Sequence, residues 1–321
     1  MTVSEQGETD VSPDELQRVR WKGQATYQAL SYSFEVRWNS DPIGDYVRSV
    51  LEPFAVPSDP WEQRSPTTRS TPPTYFVVQG RPSDDARYEL LFGDQFAFTT
   101  MMRSSQLTNV LTHLFWHINS EATQRTGDFL LVHAGAVVTP GGDGVLLPAP
   151  SGSGKTTLVA GLVRGGFSYL SDEAGAIDPV TGKLHAYPKA LTLKRSPREL
   201  FPGLGSGNGG RYVQRGPWYV RSEDLRPGAA GEPSAVRFVV APRYREGGRT
   251  ELAPMSRAAG VVELCNNTLN LPLYRSRALT LLARVVAQAR CYRLEYGDLD
   301  EGVRAISRLA RRPARSASPS A

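Results

Sequence analysis

Cysteine, histidine and methionine are scarce: the chain of 321 residues has 2 Cys, 4 His and 4 Met. Two cysteines far apart in sequence, Cys265 and Cys291, cannot build a disulfide framework or a CxxC metal pair. A reducing cytoplasm is therefore the expected compartment. Also missing is any run of the ~18–20 apolar residues that a membrane helix needs. The first residues, 1–16, are acidic and polar and lack the basic-then-apolar order of a signal peptide. The expectation is a soluble protein with no membrane partner. A large excess of one charge is absent as well: the net charge is +5, from 37 Lys+Arg against 32 Asp+Glu. Its one local concentration, Arg304, Arg308, Arg311, Arg312 and Arg315, reads as a solvated helix end running into a frayed tail, so nucleic acid is not an expected partner. A mild positive balance does suit an anionic substrate such as a nucleotide.

What is present is enough apolar material, 40% of residues, to build a core. The length fits one large domain and a smaller one. Residues 1–20 read as a mobile leader and 21–126 as a small N-terminal α/β domain, with strands around Phe34–Trp38, Tyr75–Gln79, Tyr88–Phe92 and Phe96–Thr99. A helix is expected at Ile43–Phe54 and an amphipathic one at Ser104–Arg125, where Leu107, Val110, Leu111, Leu114, Phe115 and Ile118 share a face. The stretch Pro53 to Pro73 reads as a surface loop.

The main domain, 127–310, opens with strands Phe129–Val138 and Val145–Pro148. A helix follows at Lys155–Arg164, then strands at Phe167–Asp172 and Leu184–Leu193 and a short helix near Pro197–Leu200. Gly203 to Gly216 is rich enough in glycine to read as a mobile loop. Beyond it come a strand at Val236–Pro242, helices at Met255–Asn266 and Arg275–Arg290, a strand at Cys291–Tyr296 and a helix at Leu299–Ala310. Residues 311–321 read as a disordered tail. Strands and helices do not alternate steadily, which argues for an α/β fold on a mixed sheet rather than a doubly wound parallel one.

Between the second strand and the first helix of this domain lies Ala149-Pro150-Ser151-Gly152-Ser153-Gly154-Lys155-Thr156. It fits the phosphate-loop pattern with alanine in place of the usual first glycine. Small residues let successive backbone N–H groups point inward around phosphates, and the N-terminus of the following helix adds its positive dipole end. Ser151, Gly152, Ser153, Gly154, Lys155, Thr156 and Thr157 are thus the candidate nucleotide contacts. Lys155 supplies an ammonium for the transferring phosphate and Thr156 a hydroxyl ligand for Mg²⁺. The alternative, a glycine-rich turn that merely ends in Lys-Thr, does not account for the flanking strand and helix.

Asp172-Glu173 ends the strand after the loop helix, where a carboxylate can reach both Mg²⁺ and an acceptor hydroxyl; a solvent-facing turn is the bland alternative. His133, alone in an apolar strand, reads on its own as a satisfied core residue. His113, His117 and Glu121 share a helical face, but their spacing is not that of a zinc protease, so no metal is assigned there. Trp116 and the pair Trp218-Tyr219 read as packing, the pair also flanking the glycine-rich loop.

His133-Ala134, the loop Ser151 to Thr156, and Ser171-Asp172-Glu173 together resemble the catalytic domain of HPr kinase/phosphorylase and its relatives. The separation from Lys155 to Asp172 is also similar. The stretches Gly165 to Glu173 and Tyr187 to Lys194 resemble the HPr-kinase-related branch found beside peptide and natural-product genes. The resemblance covers roughly 127–310 and implies a mixed-sheet core akin to phosphoenolpyruvate carboxykinase. It implies a Mg²⁺-assisted kinase that moves the γ-phosphate of ATP to a hydroxyl of a peptide, small protein or small molecule. Asp172 matches the general base, His133 a histidine beside it, and Lys155 and Thr156 the phosphate and metal positions. Glu173 stands where the family usually has Asp, and would be the second metal contact. Lys189 and Lys194 fall near the substrate side. The glycine- and arginine-bearing signature of true HPr kinases is absent, so the resemblance is not extended to phosphorolysis, hexamers or HPr itself; a homo-oligomer stays open. A regulatory or assembly ATPase acting through a partner protein is the rival reading. A doubly wound small-molecule kinase is disfavoured, because such chains carry the loop on their first strand.

Overall fold

The computed structural model describes residues 10–11, 16–56, 72–80, 87–93, 97–194, 197–202 and 217–311. The mobile-leader reading in large part, most of the Pro53 to Pro73 loop, the Gly203 to Gly216 loop and nearly all of the 311–321 tail lie outside them. The chain divides into two compact units, residues 1–126 with 194–219, and residues 127–193 with 220–321. The segment 194–219, expected within the main domain, groups with the first unit.

In the first unit the strands are β1 (Asp10–Val11), β2 (Gly23–Ala29), β3 (Tyr32–Trp38), β4 (Thr74–Gln79), β5 (Tyr88–Gly93) and β6 (Phe98–Ser104). They form a sheet in the order β1-β6-β5-β4-β3-β2. β3 and β4 are parallel and the other neighbours antiparallel. Helix α1 (Asp41–Leu51) starts at an acidic residue followed by proline, which tolerates the first helical turn because its missing N–H has no partner there anyway. Its buried residues Ile43, Tyr46, Val47, Val50 and Leu51 make one stripe. Helix α2 (Leu107–Arg125) buries Val110, Leu111, Leu114, Phe115, Ile118 and Ala122. The ring of Tyr219 meets Phe115 at 4.8 Å, so that tyrosine packs in the core of this unit. On α2, His117 Nδ1 lies 2.8 Å from the Tyr75 hydroxyl, and Glu121 pairs with Arg125 at 2.6 Å.

The second unit contains β7 (Leu130–Val138), β8 (Gly144–Pro148), α3 (Lys155–Arg164), β9 (Ser168–Ser171), β10 (Ala174–Ile177), β11 (Lys183–His185) and β12 (Leu191–Leu193). After α4 (Pro197–Leu200), in the first unit, and β13 (Trp218–Val220), where the chain passes back, come α5 (Ser222–Leu225), β14 (Ser234–Tyr244) and β15 (Glu251–Met255). The unit ends with α6 (Arg257–Asn266), α7 (Leu271–Tyr274), α8 (Ser276–Ala287), β16 (Arg290–Tyr296) and α9 (Leu299–Arg311). The sheet order is β11-β10-β7-β8-β14-β16-β15, with β9 also on β7. β14 is parallel to both β8 and β16, whereas β7 and β15 run antiparallel to their neighbours. The architecture is therefore mixed α/β.

Period-two alternation explains the layering. Leu130, Val132, Ala134, Ala136 and Val138 of β7 join residues of α6 and α8 in one apolar core. The intervening residues face α3: a Cβ on Gly135 would collide with Val159. His133 belongs to that second set. It is half-buried on the face of the loop helix, not the satisfied core residue that the apolar strand alone suggests.

Four local expectations need correction. The expected strand Leu184–Leu193 is two short strands, because Pro188 has no N–H to give to a ladder. The helix expected from Met255 starts at Arg257: Ser256 caps it by accepting from the Ala259 N–H, and Met255 ends β15. The strand expected at Phe96–Thr99 begins at Phe98 and runs on to Ser104. Finally, the strand expected at Phe167–Asp172 is β9, Ser168–Ser171, so Asp172-Glu173 follows directly on its end as a bend. The chain resumes as β10 against the same β7, with Ala136 opposite Ser171 and His133 opposite Ala174.

Candidate functional site

The loop between β8 and α3 has its glycines where backbone geometry demands them: Gly152 has φ +84° and Gly154 +89°. Gly154 is also the N-cap position of α3, and no side chain caps that end. The amides of Lys155, Thr156 and Thr157 belong to a first turn with no intrahelical acceptor. Inside the loop the Ser153 hydroxyl is buried without a hydrogen-bond partner. Buried polar groups are nearly always paired, so an orphan hydroxyl in this loop fits a ligand oxygen. Ser151 and Gly152 are exposed; Thr156 and Thr157 are half-buried.

Lys155 is buried. Its ammonium lies 2.8 Å from the Ala149 carbonyl, 3.1 Å from the Pro150 carbonyl and 3.1 Å from His133 Nε2. An ammonium only donates, so Nε2 accepts and the imidazole proton sits on Nδ1. That nitrogen is 3.2 Å from the Glu173 carbonyl and 3.4 Å from its carboxylate Oε1. Burial lowers the lysine below its usual range, and the carboxylates of Glu173 and Asp172 draw it partly back. Burial alone would raise Glu173, but the His133 hydrogen bond and the positive charges of Lys189 and Lys155 outweigh it and hold the acid below its ordinary value.

The bend at Asp172-Glu173 makes this contact possible. In an unbroken strand Glu173 would sit opposite Ala134 and point into the apolar core. Instead Ser171 Oγ accepts from the Glu173 and Ala174 N–H groups at 3.1 and 3.0 Å, and fixes the turn. The Ala134 N–H still donates to the Glu173 carbonyl, so the ladder is kept.

Asp172 points into a separate, closed nest. Its Oδ1 is 3.0 Å from Lys189 Nζ and 3.2 Å from the Tyr169 hydroxyl, and its Oδ2 is 3.4 Å from the Thr192 N–H. The side chain is 1% exposed, against 33% for Glu173. Lys189 thus meets Asp172 rather than open solvent. Lys194 is exposed and belongs to the first unit. The structure therefore gathers His133, Lys155, Glu173, Asp172 and Lys189 in one unit.

Two side chains that the sequence did not single out complete the surroundings. Tyr169 is fully buried with its hydroxyl also 2.7 Å from the Lys189 carbonyl, and burial raises it well above the usual tyrosine range, with the Asp172 charge adding to that. Tyr296 donates from its hydroxyl to the Gly154 carbonyl at 3.2 Å. Tyr169 stands three residues before Asp172 in a legible strand; Tyr296 has no sequence signal, because a parallel neighbour is chosen nonlocally.

The arginines at the end of the chain, Arg304, Arg308 and Arg311, line a separate cleft of about 660 Å³ with Thr250, Leu252 and Leu309, to which no loop residue contributes. Among the described residues no group of three or more acidic, histidine or cysteine side chains could by itself hold a metal ion. A Mg²⁺ would depend on phosphate oxygens and water besides Thr156 and Glu173, which is how that ion is commonly held. No helix among the described residues is long and apolar enough to cross a membrane. No family model matches the chain, and no curated protein matches it.

Proposed function

We propose that the second unit is the HPr-kinase-like phosphotransferase that the motifs resemble, with a mixed-sheet core akin to phosphoenolpyruvate carboxykinase, transferring the γ-phosphate of ATP to a hydroxyl. The observation that carries this reading is the unpartnered Ser153 hydroxyl inside a loop of positive-φ glycines, directly ahead of the uncapped N-terminus of α3. Bound ATP with Mg²⁺ would supply a phosphoryl group on which negative charge grows during transfer.

The chain's own groups have these tasks. The loop amides and Ser153 bind phosphate oxygens, and Thr156 with Glu173 would hold the metal. Lys155 exchanges its carbonyl and imidazole contacts for phosphate, a swap between acceptors that keeps the ammonium paired. His133 takes up the Lys155 ammonium when phosphate is not there, and its Nδ1–H holds Glu173. Asp172 accepts the proton of the acceptor hydroxyl; Lys189 now occupies its Oδ1, so the Tyr187–Thr192 stretch has to yield as the acceptor arrives. The acceptor is a serine of a peptide or protein, or a small molecule.

The enclosure of Asp172 favours a second reading, a regulatory ATPase acting through a partner, since such a protein needs no carboxylate that can reach a hydroxyl. Incubation with γ-labelled ATP, Mg²⁺ and sets of serine peptides and hydroxylated small molecules separates the two. The kinase reading expects label on an acceptor, lost in Lys155→Ala together with most nucleotide affinity. Release of inorganic phosphate alone, with every acceptor unlabelled, supports the regulatory reading.

A further inference from the structure

The sheet sets two aromatic rings beside the phosphate loop that the loop motif itself does not require. β8, β14 and β16 run parallel, so the C-terminal ends of β14 and β16 emerge at the sheet edge from which the loop departs. Tyr244 ends β14, Tyr296 ends β16, and the two are register partners. The Tyr244 N–H donates to the Ser153 carbonyl at 3.2 Å, and the Tyr296 hydroxyl to the Gly154 carbonyl at 3.2 Å. Two strand ends thereby grip consecutive loop carbonyls. The grip is close enough that a Cβ on Gly154 would lie 2.5 Å from the Tyr296 hydroxyl and 3.0 Å from Tyr244 Cβ.

The two rings differ in what they are used for. Tyr296 is buried and bonded. Tyr244 leans on it, with centroids 5.5 Å apart at 65°, yet stays 44% exposed. Among the described residues of this unit it is the large aromatic side chain left open to solvent. Its backbone is rigid: the ladder continues one residue further, where the Arg245 N–H donates to the Tyr296 carbonyl at 2.9 Å. An exposed ring on a fixed strand end, one contact away from a phosphate loop, has the properties of a stacking surface.

We propose that Tyr244 is the platform on which the base of a purine nucleotide stacks while its phosphates rest in the loop. The proposal depends on the phosphate-binding reading of the loop and adds the base site to it. A base joined through ribose to loop-bound phosphates has to settle on a surface bordering the loop, and among the described residues there Tyr244 is the exposed aromatic one. Stacking uses the π-face that every base has, so ATP and GTP bind with similar affinity.

Calorimetric titration of the full chain with ATP, GTP and inorganic tripolyphosphate, each with Mg²⁺, tests this. Replacing Tyr244 by Ala should weaken ATP and GTP at least about fivefold, as loss of a base–aromatic stack does, and leave tripolyphosphate binding unchanged. Tyr244→Trp should keep nucleotide affinity, and Tyr244→Leu should behave like Tyr244→Ala. The proposal is overturned by a smaller loss of ATP affinity in Tyr244→Ala, by a parallel loss of tripolyphosphate, or by full nucleotide affinity in Tyr244→Leu. If the wild-type chain binds tripolyphosphate and these outcomes occur, the platform falls and the loop reading stands. If the wild-type chain binds neither nucleotide nor tripolyphosphate, both fall.

Discussion

Glu173 occupies a position in which its ionised form is the favoured one, because His133, Lys189 and Lys155 all interact with it. Its folded pKa lies below the ordinary value of 4.5. The stabilisation is therefore complete above that ordinary value and disappears as pH falls through the lowered one. Glu173→Gln should melt below the wild type near neutrality, and the gap should close on acidification, read from melting temperature between about pH 7 and about pH 3. Asp172 has a different dependence on its neighbours. Asp172→Asn leaves the Lys189 ammonium facing an amide in a buried nest, a change on the order of 3–5 kcal/mol when a buried pair is broken. Adding Lys189→Met should recover part of that loss, measured by denaturant midpoints around the cycle of wild type, the two single variants and the double variant. Phosphate transfer should be lost in both Asp172→Asn chains if this carboxylate is the base. If Glu173→Gln alone abolishes transfer while nucleotide binding persists, the more open carboxylate is the base instead.

The loop and α3 act together with the strand ends beside them. Gly154→Ala would place a side chain at φ +89° and against the Tyr296 hydroxyl. A left-handed conformation costs a non-glycine residue roughly 1–2 kcal/mol, and the steric contact adds to it. The expected outcome is a chain that still folds, with tripolyphosphate affinity reduced at least about tenfold, since the loop must shift away from its two carbonyl anchors. The β9–β10 stretch shows the same economy of space: a Cβ on Gly175 would collide with Leu146, which is why a residue of no side chain stands in a buried strand there.

Each unit has its own core, and the loop between β8 and α3 lies entirely within the second. In the first, the Trp38 indole packs so closely on α1 that a Cβ at Gly44 would lie 2.5 Å from its Cε2 and 2.7 Å from its Cδ1, with Nε1 nearer still. Trp38→Ala should cost about 3–5 kcal/mol of that unit's stability, seen as a lowered melting temperature. Tripolyphosphate affinity measured below the transition should stay that of the wild type. Nucleotide, by mass action, should stabilise the second unit, by about 2.7 kcal/mol at a hundredfold excess over its dissociation constant.

Local pattern sufficed for the strand-loop-helix unit around Lys155. Glycines and a Lys-Thr end are encoded within a few consecutive residues, and α3 has the bounds Lys155–Arg164 expected directly after the loop. β7 is likewise legible as an apolar run, but the run does not say that His133 faces α3, and alone that histidine reads as a core residue. β10 has a weak local signal because Ala-Gly-Ala-Ile has a single β-branched residue, and β15 because its five residues carry a proline and run straight into a capped helix. Tertiary structure alone decided that Lys189 closes on Asp172, that Glu173 turns toward His133, and that Tyr244 and Tyr296 flank the loop. Those outcomes depend on which strands become neighbours and in what register, and pairing energies between residues far apart in the chain leave no trace in a local window.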